Sequence, residues 1–233
     1  VMQKLLITAL AYLISVCIYS QGLYVNDSLS NLMSQNPQVA LTRSISIPSS
    51  HSLEKYTPYV LDQGESSMCV AYSIALARTI LYARNHGITD KASISSEAYS
   101  PYYIYTKYKK LNNELSKYDF ETGMDLYLNA INEFGYAKMK DIEYPYYYPF
   151  TEKALWEFSV PSYLNLDHEE LKNDGFSQIL NVIIDNKYSA ADRKDFILKM
   201  KSELAANKPI IFAMALYDNF GKQRSPYWSD RLE

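Results

Sequence analysis

One helix constrains the rest of the chain more than any other feature. From about Cys69 to His86, Ile74, Ala77, Ile80 and Leu81 with interleaved alanines spread apolar surface around most of the circumference. A helix of that kind must be covered on several sides, so it is central to its fold. Arg84 and His86 in its last turn, followed by Gly87, make a proper stop. At the other end a polar turn rich in Gly and Ser, Leu61 to Met68, delivers Cys69 to the first helical position.

That position has chemical consequences. The first N–H groups of a helix have no partner within it, and its dipole favours negative charge, so a thiol there is drawn toward thiolate. Gln63, six residues upstream, carries an amide that can fold back beside the sulfur and donate to a developing oxyanion. The plainer alternative is that Cys69 is a small buried hydrophobe next to an Ala-rich helix.

The stretch as a whole favours the first view. Gln63-Gly64, four residues, then Cys69-Val70-Ala71-Tyr72-Ser73 resembles the active-site segment of papain-like cysteine peptidases. The resemblance implies an α+β, two-lobed fold in which this chain holds a complete helical lobe and an incomplete β-barrel lobe. It implies Cys69 as nucleophile and Gln63 as oxyanion-hole donor. It also implies Gly123, with Met124 beside it, as backbone and pocket contacts for the substrate, although the family's paired glycine is Thr122 here.

Later segments follow in family order. Ile94-Ser95-Ser96-Glu97 reads as the cap of a helical stretch from Ala98 to Leu111, with Pro101 either opening a second helix or kinking the first. Tyr99, Tyr102, Tyr103, Tyr105 and Tyr108 fall on nearly every face of it, which suits a tyrosine-packed wall better than a binding strip. Met124 to Phe134 has Tyr127, Leu128, Ile131 and Phe134 at helical spacing, ended by Gly135. Ile142-Glu143-Tyr144-Pro145-Tyr146 resembles the family's Tyr-Pro-Tyr turn. Tyr163 to Leu166 has strand character, and Asp167 to Tyr188 reads as a partly helical insertion with no assignable role. A helix from Ser189 to Ala206 then leads through Lys208-Pro209 into an apolar strand, Ile210 to Leu216.

The first twenty residues have a basic start, an apolar run from Leu5 to Ile18 and a small residue at a plausible cleavage point, the pattern of a secretory signal. A lipoprotein reading at Cys17 is weakened by Val16, which is a poor fit to the small residue such processing prefers. Residues 21–50 form an N-terminal extension and 51–233 the peptidase-like domain. Export implies a secreted, periplasmic or cell-surface protein, with no membrane attachment once the signal is removed. Cys69 is then the lone thiol, with no disulfide to make. No CxxC pair or His-rich spacing supports a metal site, and no cofactor is called for. A net charge of -3 without a Lys/Arg block gives no footprint for nucleic acid. The expected partner is a peptide or protein substrate.

The catalytic base is the gap. His86 lies on the same helix as Cys69, about 25 Å away at ~1.5 Å per residue. His51 stands in the lead-in to the domain and His168 in an acidic, solvated stretch. The family's histidine and its orienting asparagine are expected beyond Glu233. Two other classes compete with a peptidase: a papain-like module that binds peptides or partners without cleaving them, and a tyrosine-rich surface protein with an incidental thiol.

Overall fold

The structure, a computed structural model, describes residues 47–63, 66, 68–115, 124–142, 153, 157 and 190–212. The leader, Gly123, the turn at Tyr144-Pro145, the 165–188 segment with His168, and residues 213–233 lie outside the described residues.

Five helices are described: α1 (Cys69–His86), α2 (Lys91–Ser96), α3 (Pro101–Leu111), α4 (Met124–Phe134) and α5 (Ala190–Ala205), with 3-10 turns at Glu54–Tyr56 and Met139–Asp141. Among the described residues no β-strand is formed, and the one β pairing is an isolated antiparallel bridge between Tyr99 and Lys138. Of the expected strand at 210–216, residues 210–212 are described and carry neither helix nor strand.

The helix boundaries follow from their caps. Gly87 adopts φ 65°, the left-handed conformation a helix stop favours, and Ile88 N–H returns to the Ala83 carbonyl at 2.9 Å. Gly135 ends α4 in the same way, with φ 73°. The cap expected at Ile94-Ser95-Ser96-Glu97 is corrected here, and of the two roles open to Pro101 the start of a second helix is the one it takes. Ser95 and Ser96 lie inside α2, whose N-cap is Asp90, accepting from Ser93 N–H at 2.8 Å. Ser100, in extended conformation, caps α3 by accepting from Tyr103 N–H at 3.2 Å. Pro101 is the physical reason: it lacks an N–H and disfavours helical backbone at the residue before it, so it opens a new helix and does not bend an existing one.

The core is a three-way packing of α1, α3 and α4. Small residues of α1, Ala71 and Ala75, lie beside Ile74 against a wall of tyrosines. Tyr99, Tyr102, Tyr103, Tyr105, Tyr108, Tyr127 and Tyr136 are each fully buried. Their rings meet in preferred geometries: Tyr108 stacks on Tyr127 with centroids 4.3 Å apart, and Tyr99 meets Tyr136 edge-on at 5.5 Å. The Tyr103 hydroxyl donates to the Phe134 carbonyl, tying α3 to the end of α4. Buried Arg78 lies against the rings of both Tyr99 and Tyr136, so a charge is accommodated among aromatic faces.

Outside this core, Glu97 receives Lys138 and Lys140 at 2.6 and 2.5 Å, clamping the segment before α3 to the one after α4. At the far end of α1, Arg84 Nη1 donates to the Asn207 carbonyl at 3.0 Å, and Asn207 Oδ1 lies 3.2 Å from His51 Nε2. The lead-in segment and the end of α5 therefore meet at the C-terminal end of α1.

Candidate active site

The site is the N-terminal end of α1 and the loop that enters it. Met68 holds the N-cap position without a side-chain cap bond, because its side chain is spent in the core, where it is fully buried. The first helical rung is Tyr72 N–H to the Met68 carbonyl at 3.0 Å, leaving the N–H groups at the start of α1 outside the helical ladder. Cys69 is partly buried and packs on the core cluster.

The Val70 and Cys69 N–H groups at this helix end act to lower the Cys69 thiol's pKa. Burial nevertheless pushes the Cys69 thiol above its ordinary pKa, outweighing the lowering by these two amides. Sequence position alone predicts a thiolate here. The described surroundings therefore work against the ionisation that the helix end favours.

Gln63 is described on the same loop. Its side-chain Nε2 donates to the Ser66 carbonyl at 3.0 Å, while Ser66 Oγ donates back to the Gln63 carbonyl at 2.7 Å. Ser66 is buried and Gln63 half-buried, so this reciprocal turn is partly shielded from water. Three residues separate Ser66 from Cys69, which at ~3.8 Å per step bounds their Cα separation at about 11 Å. The amide nitrogen has a second hydrogen that this turn does not use.

The loop is also fastened at its start. Tyr72, three residues after Cys69 and hence on a neighbouring face of α1, donates its hydroxyl to the Asp62 carbonyl at 3.3 Å and sits 2.7 Å from the Tyr102 hydroxyl. Ser73 Oγ donates to the Cys69 carbonyl at 2.8 Å. Sequence reasoning missed Ser66 and Tyr72. Their signal was spacing: a serine three residues after Gln63 and a tyrosine three residues after Cys69.

Of the substrate-contact residues implied by the resemblance, Met124 is the first residue of α4 and Gly123 lies outside the described residues. Gln63 lies on the fastened loop that leads into Cys69 at the start of α1, and among the described residues no histidine joins them. His86 is engaged at the other end of α1, where its Nδ1 meets the Tyr82 carbonyl at 2.9 Å and its ring stacks on Tyr82. His51 pairs with an asparagine, but at the Arg84 junction, on the order of 22 Å along α1 from the sulfur at ~1.5 Å per residue. Among the described residues no group of three or more His, Cys, Asp or Glu side chains could hold a metal ion. No helix of the described residues is long and apolar enough to cross a membrane.

No family model, no curated protein and no solved structure matches the chain. The functional reading therefore rests on this chain's own residues and their placement.

Proposed function

We propose that this chain carries the nucleophile side of a papain-like cysteine peptidase that is exported by its leader and acts on peptides or proteins without a cofactor. One observation carries the reading: Cys69 opens a core helix whose first N–H groups lie outside the helical ladder, and the loop entering that helix holds the Gln63 amide in a closed turn with buried Ser66.

In this reading the Cys69 thiolate attacks the scissile carbonyl carbon, and the carbonyl π electrons move onto oxygen. Cys69 N–H and Gln63 Nε2 then receive the oxyanion. Collapse expels the amine, which takes a proton from a histidine outside the described residues, and water hydrolyses the resulting thioester. Gly123 and Met124 contribute to the substrate pocket.

A second reading, a papain-like module that binds without cleaving, is favoured by two features: burial raises the thiol's pKa, and the two described histidines are engaged at the far end of α1. Labelling separates them. In the full chain, with Cys69→Ala as control, a peptidyl thiol-directed reagent at mildly acid pH is expected to modify Cys69 faster than it modifies free cysteine. Equal rates would exclude the peptidase and leave the binding module.

A further inference from the structure

Two hydroxyls bridge the places where the loop leaves and re-enters the core. Tyr72 stands in the first turn of α1, one turn on from Cys69. Its hydroxyl reaches the carbonyl of Asp62, the residue immediately before Gln63. The Tyr102 hydroxyl from buried α3 lies against the same oxygen, and the two rings meet edge-on at 6.0 Å and 80°.

The direction of this chain of bonds is fixed by chemistry. A carbonyl only accepts, so Tyr72 donates to Asp62, and its one hydrogen is thereby used. With Tyr72 donating to Asp62, Tyr102 is the donor that matches the 2.7 Å contact between the two hydroxyls. The relay runs from the tyrosine core, through the helix bearing the sulfur, to the backbone that carries Gln63. We propose that the Tyr72 hydroxyl is a positioning group that holds the Gln63 side of the site in register with Cys69; this rests on the peptidase reading above. Tyr72 touches no reacting atom in this scheme and acts through Gln63.

The test separates oxyanion-forming attack from simple alkylation. A p-nitrophenyl ester of an N-blocked dipeptide reports the first: the Cys69 S–C bond forms, the ester C–O bond breaks, p-nitrophenolate leaves, and the thiol proton passes to buffer. Iodoacetamide reports the second, since carbon displacement of iodide develops no oxyanion. Modification is read at Cys69 by peptide mass, beside a thermal melt for each variant.

Tyr72→Phe, which keeps the ring, is expected to slow ester acylation on the order of fivefold, the usual weight of one neutral hydrogen bond, and to leave alkylation within about twofold. Tyr102→Phe leaves Tyr72 able to donate to Asp62, so it gives a smaller loss. In a Gln63→Ala background Tyr72→Phe adds nothing. The proposal is overturned if Tyr72→Phe slows both reagents alike, leaves acylation unchanged, or acts with equal force without Gln63. Failure of the peptidase reading is distinct: unmodified Cys69 then shows the same ratio of acylation to alkylation as free cysteine.

Discussion

Cys69 shows how two influences on one atom are weighed. A helix N-terminus lowers a thiol's pKa and burial raises it, and at this sulfur burial is the larger effect. The sequence displays the first influence, since a polar turn before an apolar helix is visible in the residue order. The second depends on how deeply Met68 and its neighbours sink into the core, which is a tertiary property. The sign of the consequence for pH is fixed. A thiol whose folded-state pKa is raised stabilises the fold below the unfolded pKa, and that contribution is lost as pH rises through the folded value. The protein is therefore expected to lose stability relative to Cys69→Ser as pH climbs above about 8.5, the ordinary thiol value. Denaturant melts across that range measure it. A flat difference between the two proteins would mean that the sulfur is not desolvated. Gln63 makes the complementary point, because its spacing from Cys69 is legible while its exchange of bonds with Ser66 is not.

At the level of elements, helix starts divided into those that local chemistry decides and those that it leaves open. α1 and α4 run between the limits that their apolar spacing and terminal glycines predict. The region between them was open because Pro101 could either start a second helix or kink the first, and the Ser95-Ser96-Glu97 cap suited the kink. Pro101 decides in favour of Ser100, whose extended backbone also lets Ser100 N–H donate to the Ala137 carbonyl at 2.8 Å. Because Ser100 is buried and its Oγ accepts from Tyr103 N–H, Ser100→Ala leaves that amide without its partner. The expected cost is about 1 kcal/mol, typical of a lost N-cap, with α3 loosening first. Urea denaturation gives the total, and hydrogen exchange at Tyr103 shows whether the loss is local. An unchanged amide at Tyr103 would mean that Ser100 does not cap α3.

Across the whole molecule, the elements are joined by contacts that no local pattern announces. The tyrosines between residues 99 and 108 suggest a packed wall from sequence alone, and the structure buries all five of them. That Tyr99 would pair with Lys138, and Glu97 with Lys138 and Lys140, is a fact about residues some forty positions apart. Hydrogen bonds from Lys138 and then Lys140 pull the Glu97 carboxyl down to about 2. Burial works against the charge on Lys138, but its bonds to Glu97 and Tyr82 raise its pKa overall. A depressed carboxylate stabilises the fold above its unfolded pKa and loses that contribution as pH falls toward the folded one. Glu97→Gln is therefore expected to lower stability by about 1 kcal/mol at neutral pH, a modest figure because the pair is partly open to solvent, and the gap should close between about pH 4.5 and 2. Parallel acid titrations of both proteins measure it; a gap that persists at pH 2 would place its origin elsewhere.

The Arg84, Asn207 and His51 junction gives α1 one more property. Its N-terminal turn is embedded among buried tyrosines, whereas the bonds at its far end are made by half-buried Arg84 and Asn207 and exposed His51. Openings of such a junction are cheap compared with melting the core. The helix consequently behaves like a beam clamped at one end and pinned at the other. Fluctuations of the chain arriving at Asn207 can release the pin while eighteen residues of helical ladder shield the sulfur from them.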